Sequence, residues 1–469
     1  MRLNSAAALL PLVLVCSSGC IGFDETGGGD AGSAASPNDA APADLEADAA
    51  GRAPAPDYED VYAFADGCYT IDAAAPGSDQ ASYLAPTQDG KGFGFRADDA
   101  DSASKFFLKA SDLATYILYD DEERYVVGHK EGFDRKKEIS SSLEKLDDGF
   151  KPGVQWKFEV SKHDESRFQL LHLDTGEYLT TDGLTDSADE AAVVTLHPAQ
   201  GCAEYPELTL DAEGSVRSKK WPDGSVYGFV ETHSHIMSNW GFGGAGIFHG
   251  APFHPLGVEH ALPSCEMFHG KEGRKDLFGY GFDRADDLDR NKLLTAMIKG
   301  ETPEPNHATA GYPEFTDWPD ARDSSTHQQQ YYKWIERAYM GGMRLMVQHA
   351  TSNQVICQLL EGSDTQPTRY SCNDMVAVDR ILKETREMER YIDAQEGGPG
   401  EGWFRIVESP EKAREVINEG KMAVVLGIEV SNLFDCFLVP PEGKERCDEQ
   451  DVLDKLDEYH DRGVRAIFP

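Results

Sequence analysis

Residues 422–428 read Met-Ala-Val-Val-Leu-Gly-Ile, an unbroken apolar run that closes on Glu429. A strand that is apolar at every position must be covered on both faces, and that condition is met by a parallel sheet with helices packed over it. The flanking sequence supplies such helices. Ser409 is placed to N-cap a helix with Pro410 in its first turn, and Gly420 follows its last turn. Asp448 opens another helix that stops at Gly463, and Val464–Phe468 reads as the next strand. Upstream, Tyr331, Trp334, Ile335, Ala338 and Tyr339 recur at helical spacing before Gly341-Gly342 and a buried strand from Met343. Val378, Ile381, Leu382, Thr385, Met388 and Ile392 line one face of a further helix, and Trp403–Val407 reads as a strand. This alternation predicts parallel β/α units. Residues 222–469 are therefore expected to form a parallel α/β barrel, carrying a Gly- and His-rich insertion over 237–326. Five strands are counted, so the barrel is expected to be partial, with further strands beyond Pro469.

Barrels of this kind carry their chemistry at the C-terminal ends of the strands. Tyr227–Thr232 leads into His233-Ser234-His235, and the 422–428 run leads into Glu429. Residues i and i+2 of a strand share a face, so both imidazoles can point into one mouth. Two neutral imidazoles suit zinc, and a carboxylate can complete or bridge the site. A carboxylate closing an apolar strand is costly to bury unless it is paired or metal-bound. The competing reading is two pocket-lining histidines without metal. His269, in the insertion, and His349, just after a strand, are candidates for a substrate pocket; ordinary loop histidines are the alternative. The glycine cluster at 243–246 is not followed by the Lys-Ser/Thr of a phosphate loop, and no Gly-x-Ser-x-Gly nucleophile elbow is present.

The segment Gly420–Glu429 resembles the one that carries the metal-bridging glutamate in renal (membrane) dipeptidases. The capped helix over 409–420 and Gly463–Phe468 resemble that family too; the likeness covers 403–469 well and 226–235 loosely. The resemblance implies a TIM barrel of the amidohydrolase superfamily with two zinc ions, with His233 and Glu429 as ligands and the general base beyond Pro469. His235 departs from the pattern, since the dipeptidases carry Asp there, whereas most other amidohydrolases have His. The β-rich domain and the insertion are also unlike a simple dipeptidase. The expectation is an exported hydrolase of amide or peptide bonds, with a peptide or small-molecule substrate and one or two zinc or other divalent ions activating water. Two alternatives stay open. A PHP-type phosphoesterase also opens with His-x-His and can show the Gly-Ile-Glu-Val-Ser of 427–431. A non-catalytic surface lipoprotein would bind glycans through the N-terminal domain.

Residues 61–215 lack long helical periodicity and read as short β pieces between turns. Weak similarity recurs, as in Phe106–Leu108 followed by Tyr116–Tyr119, and Trp156–Phe158 followed by Phe168–Leu171. Three such units resemble a β-trefoil, whose termini meet, which would bring Cys68 to Cys202. Residues 1–20 have the shape of a secretory signal, and Cys20 after Ser17-Ser18-Gly19 resembles a bacterial lipoprotein attachment site, with Ser17 where that pattern prefers Leu. Residues 21–60 carry almost nothing large and apolar and are expected to be a disordered tether. The protein is thus expected at the cell envelope, held to a membrane by lipid, or else secreted. Cys68–Cys202, Cys357–Cys372 and Cys436–Cys447 suit an oxidising compartment, with Cys265 left over as if its partner were missing. The 83 acidic and 44 basic residues give a net charge of −39, which excludes a generic nucleic-acid binder.

Overall fold

The computed structural model describes residues 60–139, 153–244, 246–283, 289–315, 325–362 and 368–468. The signal over 1–20, its Cys20 and, save for Asp60, the tether over 21–60 lie outside the described residues.

The N-terminal part is all antiparallel β. Its strands are β1 (Gly67–Ala74), β2 (Ser82–Pro86), β3 (Gly92–Ala97), β4 (Phe106–Asp112), β5 (Thr115–Asp120), β6 (Tyr125–His129), β7 (Gly132–Lys136), β8 (Gln155–Val160), β9 (Phe168–His172), β10 (Glu177–Leu179), β11 (Leu184–Thr185) and β12 (Val193–Pro198). Alternation sets the faces: in β8, Trp156 and Phe158 are buried while Gln155, Lys157 and Glu159 on the other face are not. Nine strands close on themselves in the order β9-β12-β1-β2-β3-β7-β6-β5-β8, and β4 bridges β1 to β5. The interior is filled by Phe64, Phe106, Leu108, Tyr116, Leu118, Trp156, Phe158, Phe168, Leu170 and Leu196. β1 pairs with β12, Tyr69 opposite Pro198, and the Cys68–Cys202 disulfide fastens the same junction.

The C-terminal part corrects the expected fold. The expectation was a possible trefoil and a partial TIM barrel; the structure has the closed nine-stranded barrel and a small parallel sheet of five strands. These are β13 (Phe229–Ser234), β14 (Met343–Ser352), β15 (Phe404–Ile406), β16 (Met422–Val430) and β17 (Val464–Phe468). In a TIM barrel each strand lies beside its neighbours in sequence. Here β14 pairs directly with β16, from Leu345 opposite Ala423 to Ser352 opposite Val430. β15 and β17 share the far edge of β16, against Met422–Val424 and Leu426–Glu429 respectively. The reason is length: β14 and β16 offer each other eight paired residues, whereas β15 offers three. The sheet stays open, with Phe229 and Val230 on β13 52% and 53% exposed.

Among its described residues, the insertion after β13 holds four short α-helices, α1 (Val258–Ala261), α2 (Glu266–His269), α3 (Leu277–Phe282) and α4 (Arg290–Lys299). Longer helices follow: α5 (Tyr332–Met340), α6 (Gln354–Gly362), α7 (Asp374–Gln395), α8 (Pro410–Asn418) and α9 (Glu449–Asp461). Val378, Ile381, Leu382 and Met388 of α7 pack with Met346, Ala350, Val424, Leu426 and Ile428. Ala413, Val416 and Ile417 of α8 pack with Leu345, Ala423 and Val425. The sheet is thus covered on both faces, as the apolar run requires. The barrel is joined to this body by Arg390 paired with Asp112, by Gln395 donating to the Ala110 carbonyl at 2.6 Å, and by Glu207 accepting from Tyr331 and Tyr332 at 2.8 and 2.7 Å.

The insertion also builds in acid sensitivity. His254 and His260 stack with ring centroids 5.4 Å apart, and His254 Nδ1 accepts from the Leu256 N–H at 3.0 Å. Burial lowers the pKa of His254 to about 3 and of His260 to about 4. The unfolded chain binds protons near pH 6.5 that the folded chain refuses, so stability is full above that value and falls as pH drops toward 4. We expect a loss of about 2–3 kcal/mol from each histidine, on the order of 5 kcal/mol for the pair, between pH 7 and 4.5. Denaturant midpoints at the two pH values measure it. His254→Asn, which keeps an acceptor for Leu256, should flatten the dependence; an unchanged slope would exclude this pair as the cause.

Candidate metal centre

β13 ends at Ser234 and β16 at Val430, so His233, His235 and Glu429 reach the C-terminal rim of the sheet together. Glu429 shares the odd-numbered face of β16 with Ala423 and Val425, which fixes the side on which it emerges. Glu429 Oε2 lies 2.7 Å from His233 Nε2 and 2.6 Å from His235 Nε2, and the two Nε2 atoms are 3.1 Å apart. Three ligand atoms thus converge within 4.8 Å of one another, a geometry able to hold a metal ion. Both histidine side chains are 37% exposed, so the group is open to solvent. Burial pushes the Glu429 carboxyl up, but hydrogen bonds and charge from His235 and His233 outweigh it and hold it below the usual carboxylate range.

His349 lies beside this group, its ring centroid 4.6 Å from that of His233. Burial, followed by its neighbour His233, lowers its pKa and keeps it a neutral imidazole. Gly427 makes room for it: a Cβ there would stand 2.5 Å from His349 Nδ1.

The supporting hydrogen bonds come from residues with no sequence signature. Gln348 Oε1 accepts from the Ile236 N–H at 2.9 Å, and Gln328 Nε2 donates to the Ile236 carbonyl at 2.9 Å. Gln330 Nε2 donates to Ser234 Oγ at 2.8 Å. On the other side the buried Asp374 carboxylate accepts from Ser431 Oγ at 2.7 Å and the Asn432 N–H at 2.9 Å, fixing the turn beyond Glu429. These contacts fix the backbone on either side of His233, His235 and Glu429.

The sequence reading anticipated His233, His235 and Glu429, which the fold brings together, and His349, which joins them. His269 is elsewhere. It sits fully buried in the insertion with Cys265, His307 and His327, a second group whose ligand atoms lie within 4.8 Å of one another and could hold a metal ion. The four-residue spacing of Cys265 and His269 was a signal available in the sequence. His307 and His327 arrive from distant loops and had none.

No protein-family model matches this chain, and no curated protein matches it. The three disulfides, Cys68–Cys202, Cys357–Cys372 and Cys436–Cys447, fit an extracellular protein. Among the described residues no helix is long and apolar enough to cross a membrane.

Proposed function

We propose that this chain is an exported metal-dependent hydrolase whose reaction centre is the His233–His235–Glu429 group. The observation that carries the reading is the convergence of two imidazole nitrogens and one carboxylate oxygen at the C-terminal rim of a parallel sheet, in a solvent-open position. His233 and His235 present their Nε2 atoms, and Glu429 supplies negative charge against a divalent cation. A bound zinc ion would lower the pKa of water to about 7 and polarise a carbonyl. Asp374 and Gln348 keep the two rims in register, and neutral His349 borders the space where a substrate would lie. The sequence likeness of 420–429 to the dipeptidases favours amide or peptide bonds, with zinc or another divalent ion as cofactor. Lipid attachment at Cys20 would hold the enzyme to a membrane surface and belongs to the same proposal.

The test is hydrolysis of a dipeptide panel, with phosphate monoesters in parallel, by the whole chain with added zinc. Dipeptide turnover that a chelator removes and zinc restores is the expected result. Turnover of phosphate monoesters alone would select the phosphoesterase reading, and no metal-dependent turnover of either class would overturn the proposal.

A further inference from the structure

The second cluster differs from the first in almost every respect. Cys265, His269 and His327 are 0%, 0% and 5% exposed, and His307 is nearly as enclosed. Cys265 precedes α2 and His269 ends it, so the i, i+4 spacing puts both on one side of that turn. His307 and His327 come in on two later loops of the insertion. Cys265 Sγ lies 3.5 Å from His307 Nε2. The ring of His327 is 4.8 Å from that of His269 and 4.5 Å from that of His307.

Each imidazole has one nitrogen facing an outer group. His269 Nε2 is 3.3 Å from the Ile247 carbonyl, and His327 Nδ1 is 3.4 Å from Thr326 Oγ1. His307 Nδ1 lies 3.7 Å from Asp276 Oδ2, itself fixed by Thr326 Oγ1 at 2.5 Å; the adjacent carboxyl oxygen accepts from the Gly279 N–H at 2.8 Å. This is the outer arrangement that orients histidine ligands: a carbonyl, a hydroxyl and a carboxylate behind the rings. Nδ1 of His269, Nε2 of His307, Nε2 of His327 and Sγ of Cys265 are the ligand atoms that remain; Nδ1 of His269 makes no hydrogen bond and lies 3.8 Å from Asp276 Oδ2.

We infer that Cys265, His269, His307 and His327 form a closed structural zinc site that fastens the insertion. Four protein ligands of one sulfur and three nitrogens suit tetrahedral zinc, and the absence of carboxylate oxygens from the set disfavours magnesium and calcium. Enclosure without an open position marks a structural rather than a catalytic site. The site is independent of the hydrolase reading.

An open cleft of about 600 Å³, lined by Glu266, Lys271, Glu272, Asn306, His307 and Thr309, borders the cluster at His307. The leftover cysteine then needs no disulfide partner.

The test separates the two clusters by removing the first. The whole chain carrying His233→Ala, His235→Ala and Glu429→Gln should keep one zinc per chain after dialysis, by elemental analysis. Replacing that zinc by cobalt should give tetrahedral visible bands with thiolate-to-cobalt charge transfer in the near ultraviolet. Adding Cys265→Ser should remove the charge transfer and weaken zinc at least about 100-fold in chelator competition. If the serine variant does not fold, the cobalt spectrum of the triple variant decides by itself. A triple variant without zinc, or with cobalt in a thiolate-free octahedral spectrum, would overturn the inference.

Discussion

Glu429→Ala should lower metal-dependent turnover by at least about 100-fold, beyond the 10–100-fold in affinity typical of losing an outer partner. Its Oε2 is the atom on which both imidazoles converge, at 2.7 and 2.6 Å. Without it His233 and His235 would face a dication with no negative charge among the three groups. Glu429→Gln separates shape from charge: it keeps a side-chain oxygen near the same place but removes the carboxylate, and should lose nearly as much. Zinc content and turnover should fall together in both variants. Wild-type metal content in both, with activity unchanged, would remove Glu429 from the site.

The second large effect concerns stability. Cys68 and Cys202 are 134 residues apart, against 15 for Cys357–Cys372 and 11 for Cys436–Cys447. Loop-closure entropy grows with the logarithm of loop length, which assigns about 5 kcal/mol to the first and about 3 kcal/mol to each of the others. The double variant Cys68→Ser, Cys202→Ser should therefore unfold at a much lower guanidinium concentration than either other double variant under non-reducing conditions. A smaller shift than theirs would mean that pairing of β1 with β12 already closes the unfolded loop or that the bridge strains the junction.

What could be read from the sequence follows from what is local. The run 422–428 announced a strand covered on both faces, and α7 and α8 cover it. His233, His235 and Glu429 were visible because each sits where a strand runs out. Pairing between strands is non-local. That ten-residue β14 would choose β16 and leave three-residue β15 outside depends on lengths and registers that no motif encodes, so the TIM barrel was the wrong extrapolation from correct strands. The surplus Cys265 was visible as an anomaly and stands four residues before His269, but His307 and His327 come from separate loops, so half of the second cluster had no sequence spacing to announce it.

The junction of β1, β12 and the Cys68–Cys202 bridge also decides how the barrel would carry a mechanical load. Tension drawn along the backbone enters the barrel at Cys68 and leaves it at Cys202, two points already covalently joined. The bond takes the load, and the 133 residues between hang outside the path as a slack loop. The barrel can then be pulled on from both ends without being unravelled, until the bridge is reduced.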